Sequence, residues 1–388
     1  MIMLLGKWLV KSPPSNDLKT RNGYGVLCSV IGILLNLFLC IGKMIAGTVS
    51  GSIAITADAF NNLSDAGASV VTLVGFCIAK QKPDYHHPFG HGRMEYIAGF
   101  VVAISILLMG FDLLRSSVDK IMHPEAIAFS GLSVAILVAS IFVKLYMALY
   151  NRSIGQKIGS AAMKATMIDS FSDAVATFVV LLSIVFSHLT GLRMDGWCGM
   201  LVSLFILYAG YTSFREMVNP LLGQPPSPEL IQKIEEIVGG YADIMGMHDL
   251  MVHDYGPGRM VITLHAEVPA NGDLLILHDT VDLVEKDLQN QLTCIAVIHM
   301  DPMVTDDVLV NETKVRVAEV IMGLDERVTM HDFRMVTGPT HTNVIFDVVV
   351  PYDVKATEPE IKKRIAHMVH ALDDSFFAVV EVDRPNGI

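Results

Sequence analysis

The hydrophobic pattern divides the chain near residue 217. Before that point six apolar segments recur, at about Tyr24–Ala46, Ser52–Ala79, Met94–Val118, Phe129–Tyr150, Ser160–Phe186 and Trp197–Met217. Each is near the ~20 residues that a helix needs to cross a bilayer. After it the apolar runs shorten and alternate with helical periods. Asn219-Pro220 and Gly223-Gln224-Pro225-Pro226-Ser227-Pro228 carry the breakers of a linker. The pattern then predicts helix (Glu229–Val238), strand (Met247–His253), strand (Met260–Val268), helix (Leu274–Gln291) and strand (Cys294–His299). Two helices crossing one face of a small sheet is the ferredoxin-like arrangement.

The tail repeats itself. Met247-His248-Asp249-Leu250 matches Met330-His331-Asp332-Phe333, and Val261–Pro269 matches Asn343–Pro351. From Ala270 and Tyr352 the two copies run in step for 32 residues, to Asp301 and Asp383. The second copy is expected to be helix (Val310–Leu324), two strands, helix (Glu358–Leu372) and strand (Phe377–Val382). The predicted fold is therefore a membrane protein with a six-helix transmembrane bundle, followed by an α+β ferredoxin-like cytoplasmic domain in tandem. Its parts are an N-terminal arm (1–22), the six-span domain (23–217), a linker (218–228) and the two tail copies (229–304 and 305–388).

Charge sharpens this division. Residues 1–217 hold 16 Lys+Arg against 12 Asp+Glu, whereas residues 218–388 hold 12 against 28. The acidic tail would attract cations and lacks the basic footprint of a nucleic-acid partner. Basic connectors (Lys7, Lys11, Lys19 and Arg21; Lys80, Lys82 and Arg93; Arg152 and Lys157) alternate with connectors poorer in charge. The positive-inside rule then places both termini in the cytoplasm. The five cysteines form no CxxC and no paired spacing, which argues against a disulfide framework or a thiolate zinc site. The N-terminal apolar run lacks a small-residue cleavage site, so a cleaved signal peptide is not expected.

The candidate chemistry begins inside the spans. Asn61 and Asp65 in the second, and Asp169 and Asp173 in the fifth, are four residues apart and share a helix face. A carboxylate at mid-membrane costs ~2.5–3.5 kcal/mol on insertion scales and usually faces a cavity, a partner or an ion path. The bland alternative is a set of helix–helix hydrogen bonds, which fits Asn62 and Ser64 better than four aligned donors. All four offer oxygen, which suits Mn, Mg or Ca rather than Zn or Cu. Asp58 is close to the same face and reads as an extra ligand, a proton acceptor or a helix anchor, of which the anchor is preferred. A second cluster, Asp84, His87 and His91, lies in a loop rich in Pro and Gly and could chelate one metal. The first tail copy carries His248, His253, His265, His278, His299 and Asp301, with His299 and Asp301 facing the same way on one strand. In the second copy the matching residues are His331, Asp347, Glu360, Glu381 and Asp383. That copy is either a harder-metal site or a decayed one, and the lost imidazoles favour decay. No GxSxG, Walker A or GxGxxG signal is present, which argues against an enzyme and against an ATP-driven pump.

These residues in this order resemble the cation diffusion facilitator family. The resemblance spans about Gly23 to Pro302. It rests on the six spans, on Ser52–Asp65 (SIAITADAFNNLSD) followed by AGAS, on Pro88–Glu95 (PFGHGRME), on Asp169 and Asp173, and on the ending His299-Met300-Asp301-Pro302. It implies a homodimeric exporter that exchanges cytoplasmic divalent metal for protons at a tetrahedral site made by spans two and five. Carried over by position, that transport site is Asn61, Asp65, Asp169 and Asp173. The family's loop site falls on Asp84, His87 and His91, and its cytoplasmic site on His248, His265, His278, His299 and Asp301. Zinc-selective members usually place a histidine in the transport set, so Asn61 and Asp169 resemble the manganese type. Some members pair a basic residue after the loop with an acid at the end of span six. Here Arg93 meets Leu221-Leu222-Gly223, with Glu216 as the substitute at hand.

The expected function is a divalent metal/proton antiporter exporting Mn²⁺, needing no cofactor, in a bacterial-type plasma membrane. Its partners would be metal ion, protons, the lipid bilayer and a second copy of the chain. The rivals are a Zn²⁺, Fe²⁺ or Cd²⁺ exporter on the same scaffold, and a membrane-anchored metal sensor. Intramembrane acids argue against the sensor, because an anchor has no need of them.

Overall fold

A computed structural model describes residues 10, 13–14, 18–50, 53–123, 131–190, 195–304 and 306–384. The chain forms two compact units, residues 1–224 with Asp254–Arg259, and Pro225–His253 with Met260–Ile388.

The first unit is helical. Its six helices are α1 (Leu18–Ser50), α2 (Ile53–Ala79), α3 (Met94–Met122), α4 (Gly131–Ile158), α5 (Ala161–Thr190) and α6 (Asp195–Leu222). All six are long and apolar enough to cross a membrane, with mean hydropathy of 1.4 to 2.4 over their candidate spans. Packing is chiefly α1 on α2, α3 on α6 and α4 on α5. Glycine permits the first of these contacts, since a Cβ at Gly25 would lie 2.5 Å from the buried Phe76 ring.

The helix ends depart from the expected spans for identifiable reasons. Helix α1 takes in Leu18–Asn22, expected as an N-terminal arm, because Arg21 is buried. Its guanidinium forms a two-pronged ion pair with Glu95 of α3 and donates to the carbonyls of Ile158 (2.8 Å) and Gly159 (3.1 Å). The Ser160 hydroxyl donates to the same carboxylate at 2.6 Å and caps the Met163 amide. One knot thus joins α1, α3, the end of α4 and the start of α5. Removing one partner of a buried pair costs about 3–5 kcal/mol. Glu95→Ala is therefore expected to lower the thermal unfolding midpoint in detergent markedly, and an unchanged midpoint would refute this role.

Helix α6 runs on through Pro220, expected as a helix breaker, to Leu222. A proline there forfeits a single backbone bond two residues before the helix ends, and Gly223 at φ 92° closes it. The non-helical linker is thus Gly223–Ser227 rather than 218–228. The expected Phe129 start of the fourth span lies outside the described residues.

The second unit contains two successive αββαβ sets. The first is α7 (Pro228–Val238), β1 (Gly246–Asp254), β2 (Met260–Pro269), α8 (Leu274–Leu292) and β3 (Cys294–Met303). The second is α9 (Val308–Ile321), β4 (Thr329–Thr337), β5 (Thr342–Val349), α10 (Glu358–His370) and β6 (Phe376–Asp383). The sheets are ordered β1-β2-β3 and β4-β5-β6, and the last pair in each runs parallel. Strand alternation explains the layers. Ile262, Leu264 and Ala266 of β2 pack on Ile231 and Ile234 of α7 and Val281 and Val284 of α8. Val344, Phe346 and Val348 do the same in the second set with Val317, Ile361 and Ile365. The opposite sheet faces carry His265, His299 and Asp301 in one set and Asp347, Glu381 and Asp383 in the other, alongside exposed apolar residues such as Ile295, Val297, Phe377 and Val379.

Candidate metal centres

Three clusters of side chains able to ligate a metal form among the residues the sequence singles out, and each owes its geometry to a different local device. In the membrane unit the device is helical spacing. Asp65 on α2, and Asp169 and Asp173 on α5, bring carboxylate oxygens within 4.8 Å of one another. Asp169 is buried and the Asp65 and Asp173 side chains are 16 % and 13 % exposed. Thr72 and Thr166, one or two turns away, bring their hydroxyls to 3.4 Å and hold the same two helices together. Asn61 lies one turn before Asp65 on α2 and is exposed. The side chain of Asp58 is outside the described set.

This centre contains a residue the sequence reading missed. Lys144, from the middle of α4, is buried and donates 2.6 Å hydrogen bonds to Asp65 Oδ2 and Asp173 Oδ2. The signal was available, because a lone lysine within an apolar span implies a buried partner. The cluster is therefore three carboxylates crossed by one tethered ammonium.

In the loop after α2, turn geometry supplies the device. Asp84 accepts from the backbone amides of His86 (2.9 Å) and His87 (2.7 Å). The hydrogen bond from the His87 amide, seconded by that of His86, holds its carboxyl below the usual carboxylate range against desolvation, which raises it. His87 Nδ1 and His91 Nε2 each lie 3.5 Å from an Asp84 oxygen, and their rings are 4.6 Å apart. Asp84, His87 and His91 thus form one candidate set. The side chain of His91 is only 10 % exposed, and its Nδ1 has no hydrogen-bond partner.

The charge interlock with Glu216 does not form. Glu216 pairs with Lys164 at 2.6 Å. Within the same unit the Arg93 guanidinium donates to the Asp254 carbonyl at 2.9 Å and lies over the Tyr255 ring.

In the tail the device is strand register. Parallel pairing sets His265 beside His299 and Glu267 beside Asp301. Asp301 becomes a hub, 2.9 Å from His265 Nδ1, 3.1 Å from His248 Nε2 and 3.4 Å from His299 Nε2. Burial disfavours a charged His248, but its contacts with Asp249 and the nearby Asp301 outweigh that and raise its pKa. His278 is not brought in. It lies on α8 with its side chain 64 % exposed, 3.8 Å from Asp282 one turn on. Asp249, unremarked beyond its place in the repeat, does belong, grouped with His248 and His265.

With the fold and these centres in view, two stretches of the chain match known families. Residues 29–222 match the cation efflux transmembrane domain, and residues 226–303 match the cation efflux protein cytoplasmic domain. The chain belongs to the cation efflux family. It is an integral membrane protein, and its family is one of transporters. An uncharacterized transporter of Methanocaldococcus jannaschii is 28% identical over 277 residues, 70% of this chain and 96% of the relative. The cation-efflux pump FieF of Klebsiella pneumoniae is 28% identical over 261 residues, 67% of this chain and 87% of the pump. The pump of the same name in Escherichia coli K12 is 27% identical over 287 residues, 73% and 95% of the two chains. Both family matches end before the second αββαβ set begins.

Proposed function

We propose that the protein exports Mn²⁺ from the cytoplasm in exchange for protons, as a homodimer with both termini cytoplasmic. The observation that carries this reading is the meeting of Asp65, Asp169 and Asp173 from two membrane helices, oxygen donors only. Carboxylates suit Mn²⁺ better than Zn²⁺ or Cu²⁺, and Asn61 would complete the set by a rotamer change toward Asp65.

Lys144 supplies the logic of exchange. Three carboxylates and one ammonium leave a formal charge of −2 in a buried site. One divalent ion neutralises that charge, and so do two protons. Metal and proton compete for the same oxygens, and the ammonium competes with both for Asp65 and Asp173. Metal entering from the cytoplasm displaces the ammonium. Rocking of the helices then exposes the site outward, and protonation with return of Lys144 expels the ion. The loop and tail centres bind metal without lying on this path, and their occupancy would report cytoplasmic load.

The deciding experiment is transport competition among Mn²⁺, Zn²⁺, Fe²⁺ and Mg²⁺ in proteoliposomes, repeated with Asn61→His. Mn²⁺ should be preferred in the parent, and a nitrogen donor should shift preference toward Zn²⁺ by roughly tenfold, the change that ~1.4 kcal/mol of differential binding produces. An unchanged ranking would remove Asn61 from the site.

A further inference from the structure

We propose that the second tail copy completes a metal site with the first, in which Asp249, His331 and Asp383 ligate one divalent transition-metal ion. This goes beyond the transport reading and does not depend on it.

The geometry is that of co-ligands rather than of hydrogen-bond partners. His331 Nε2 lies 3.8 Å from Asp249 Oδ1 and 3.6 Å from Asp383 Oδ2, and the three residues form a candidate set of their own. Both distances exceed a hydrogen bond. Bonds of about 2.0–2.2 Å to a tetrahedral ion would set its ligand atoms roughly 3.4 Å apart, a few tenths of an ångström from what is seen. The His331 side chain is only 10 % exposed, and neither ring nitrogen has a hydrogen-bond partner. A buried imidazole left so calls for an explanation, and an ion on Nε2 supplies one. One imidazole and two carboxylates suit Mn²⁺, Fe²⁺ or Zn²⁺ better than Ca²⁺.

Comparison of the two copies shows why the site draws its third ligand from the first. Asp249 and Asp332 occupy the same place in the repeat and share a left-handed backbone, at φ 50° and 51°. Aspartate tolerates that conformation, and in the second copy it coincides with a register shift between His331 and Arg334. Asp332 is held at 2.9 Å by Arg334 of its own strand. The matching residue in the first copy is Met251, which offers no cation, so Asp249, whose Oδ2 lies 3.4 Å from His248 Nδ1, turns its Oδ1 toward His331. The contact of His248 with His331, their rings tilted with centroids 4.4 Å apart, brings Asp249 to the second copy. Of the other second-copy acids, Glu360 caps α10 and Glu381 pairs with Lys362, while Asp347 faces His331 in the strand pairing, on the same side as the proposed ion. The second copy is thus no decayed duplicate of the first centre. It has exchanged an imidazole-rich set for a site shared between copies, and an ion there would clamp the two sets together.

The test is to load the purified full-length protein with Co²⁺, remove unbound ion, and count ions per chain while recording the visible spectrum. His331→Gln should lose one ion per chain. Met251→Arg, which leaves every ligand in place but gives Asp249 the partner that Asp332 has, should lose the same ion. Asp332→Asn should keep it. Equal counts and spectra in the parent and the first two variants would overturn the proposal, as would loss of the ion in Asp332→Asn.

Discussion

Asp173→Ala, reconstituted in proteoliposomes, is expected to show Mn²⁺-driven proton flux no greater than that of protein-free vesicles. The substitution removes one of three carboxylates that converge between α2 and α5, and one of the two that hold Lys144. Replacing groups that merely support metal ligands costs about 10–100-fold in affinity or activity. Losing a charged ligand itself should cost more than roughly hundredfold. The site also becomes less negative by one charge, so with Lys144 in place a single positive charge balances it and a divalent ion no longer does. Asn61→Ala, which removes a neutral donor from an exposed position, should reduce flux far less. The same pair of measurements separates a transporter from an anchored sensor. A sensor would give no metal-dependent proton flux in the parent, and its tail would bind metal equally in both proteins. Flux in Asp173→Ala equal to the parent's would remove this cluster from the transport path.

Much of this centre is legible in the sequence because its spacing is local. Two acids four residues apart share a helix face whatever surrounds them, and Asp169 and Asp173 do so on α5. The tail elements are legible for a related reason. Ile262, Leu264 and Ala266 alternate with polar residues, and the structure buries those three in the sheet core. What spacing does not contain is which elements meet. Lys144 lies far along the chain from Asp65, and only the packing of α4 on α5 brings its ammonium between the two helices. The burial of Arg21, which turned an expected arm into the start of α1, likewise depends on Glu95, seventy-four positions away. His278 fails in the opposite sense. It has the right residue type in the right copy, but its helix position leaves it exposed beside Asp282. Asp249 needs both kinds of information, since the repeat marks its position and only its left-handed backbone and the approach of His331 give it a partner.

Lys144→Met should bind Mn²⁺ more tightly than the parent and transport it more slowly, a combination that a purely structural lysine would not give. The Lys144 ammonium lies 2.6 Å from both Asp65 and Asp173. On the proposed exchange it would stabilise the state without metal, and an entering ion would have to displace it. Taking one partner from a buried ion pair costs about 3–5 kcal/mol. Here that cost falls mainly on the metal-free state, because a divalent ion replaces the lost charge in the other. Every ~1.4 kcal/mol of this difference appears as a tenfold change in affinity. Even a third to a half of it predicts binding roughly five- to sixtyfold tighter, measured as the difference between variant and parent so that loop and tail sites cancel. The same loss removes the group that helps expel the ion, so turnover should fall while apparent affinity rises. Protons are then the sole competitors for the three carboxylates, and acidification should weaken binding more steeply than in the parent. Lys144→Arg keeps the charge and should keep affinity nearer the parent's. If Lys144→Met instead binds Mn²⁺ more weakly and loses flux, the lysine is a scaffold for the carboxylates, and the exchange of metal for protons proceeds without it.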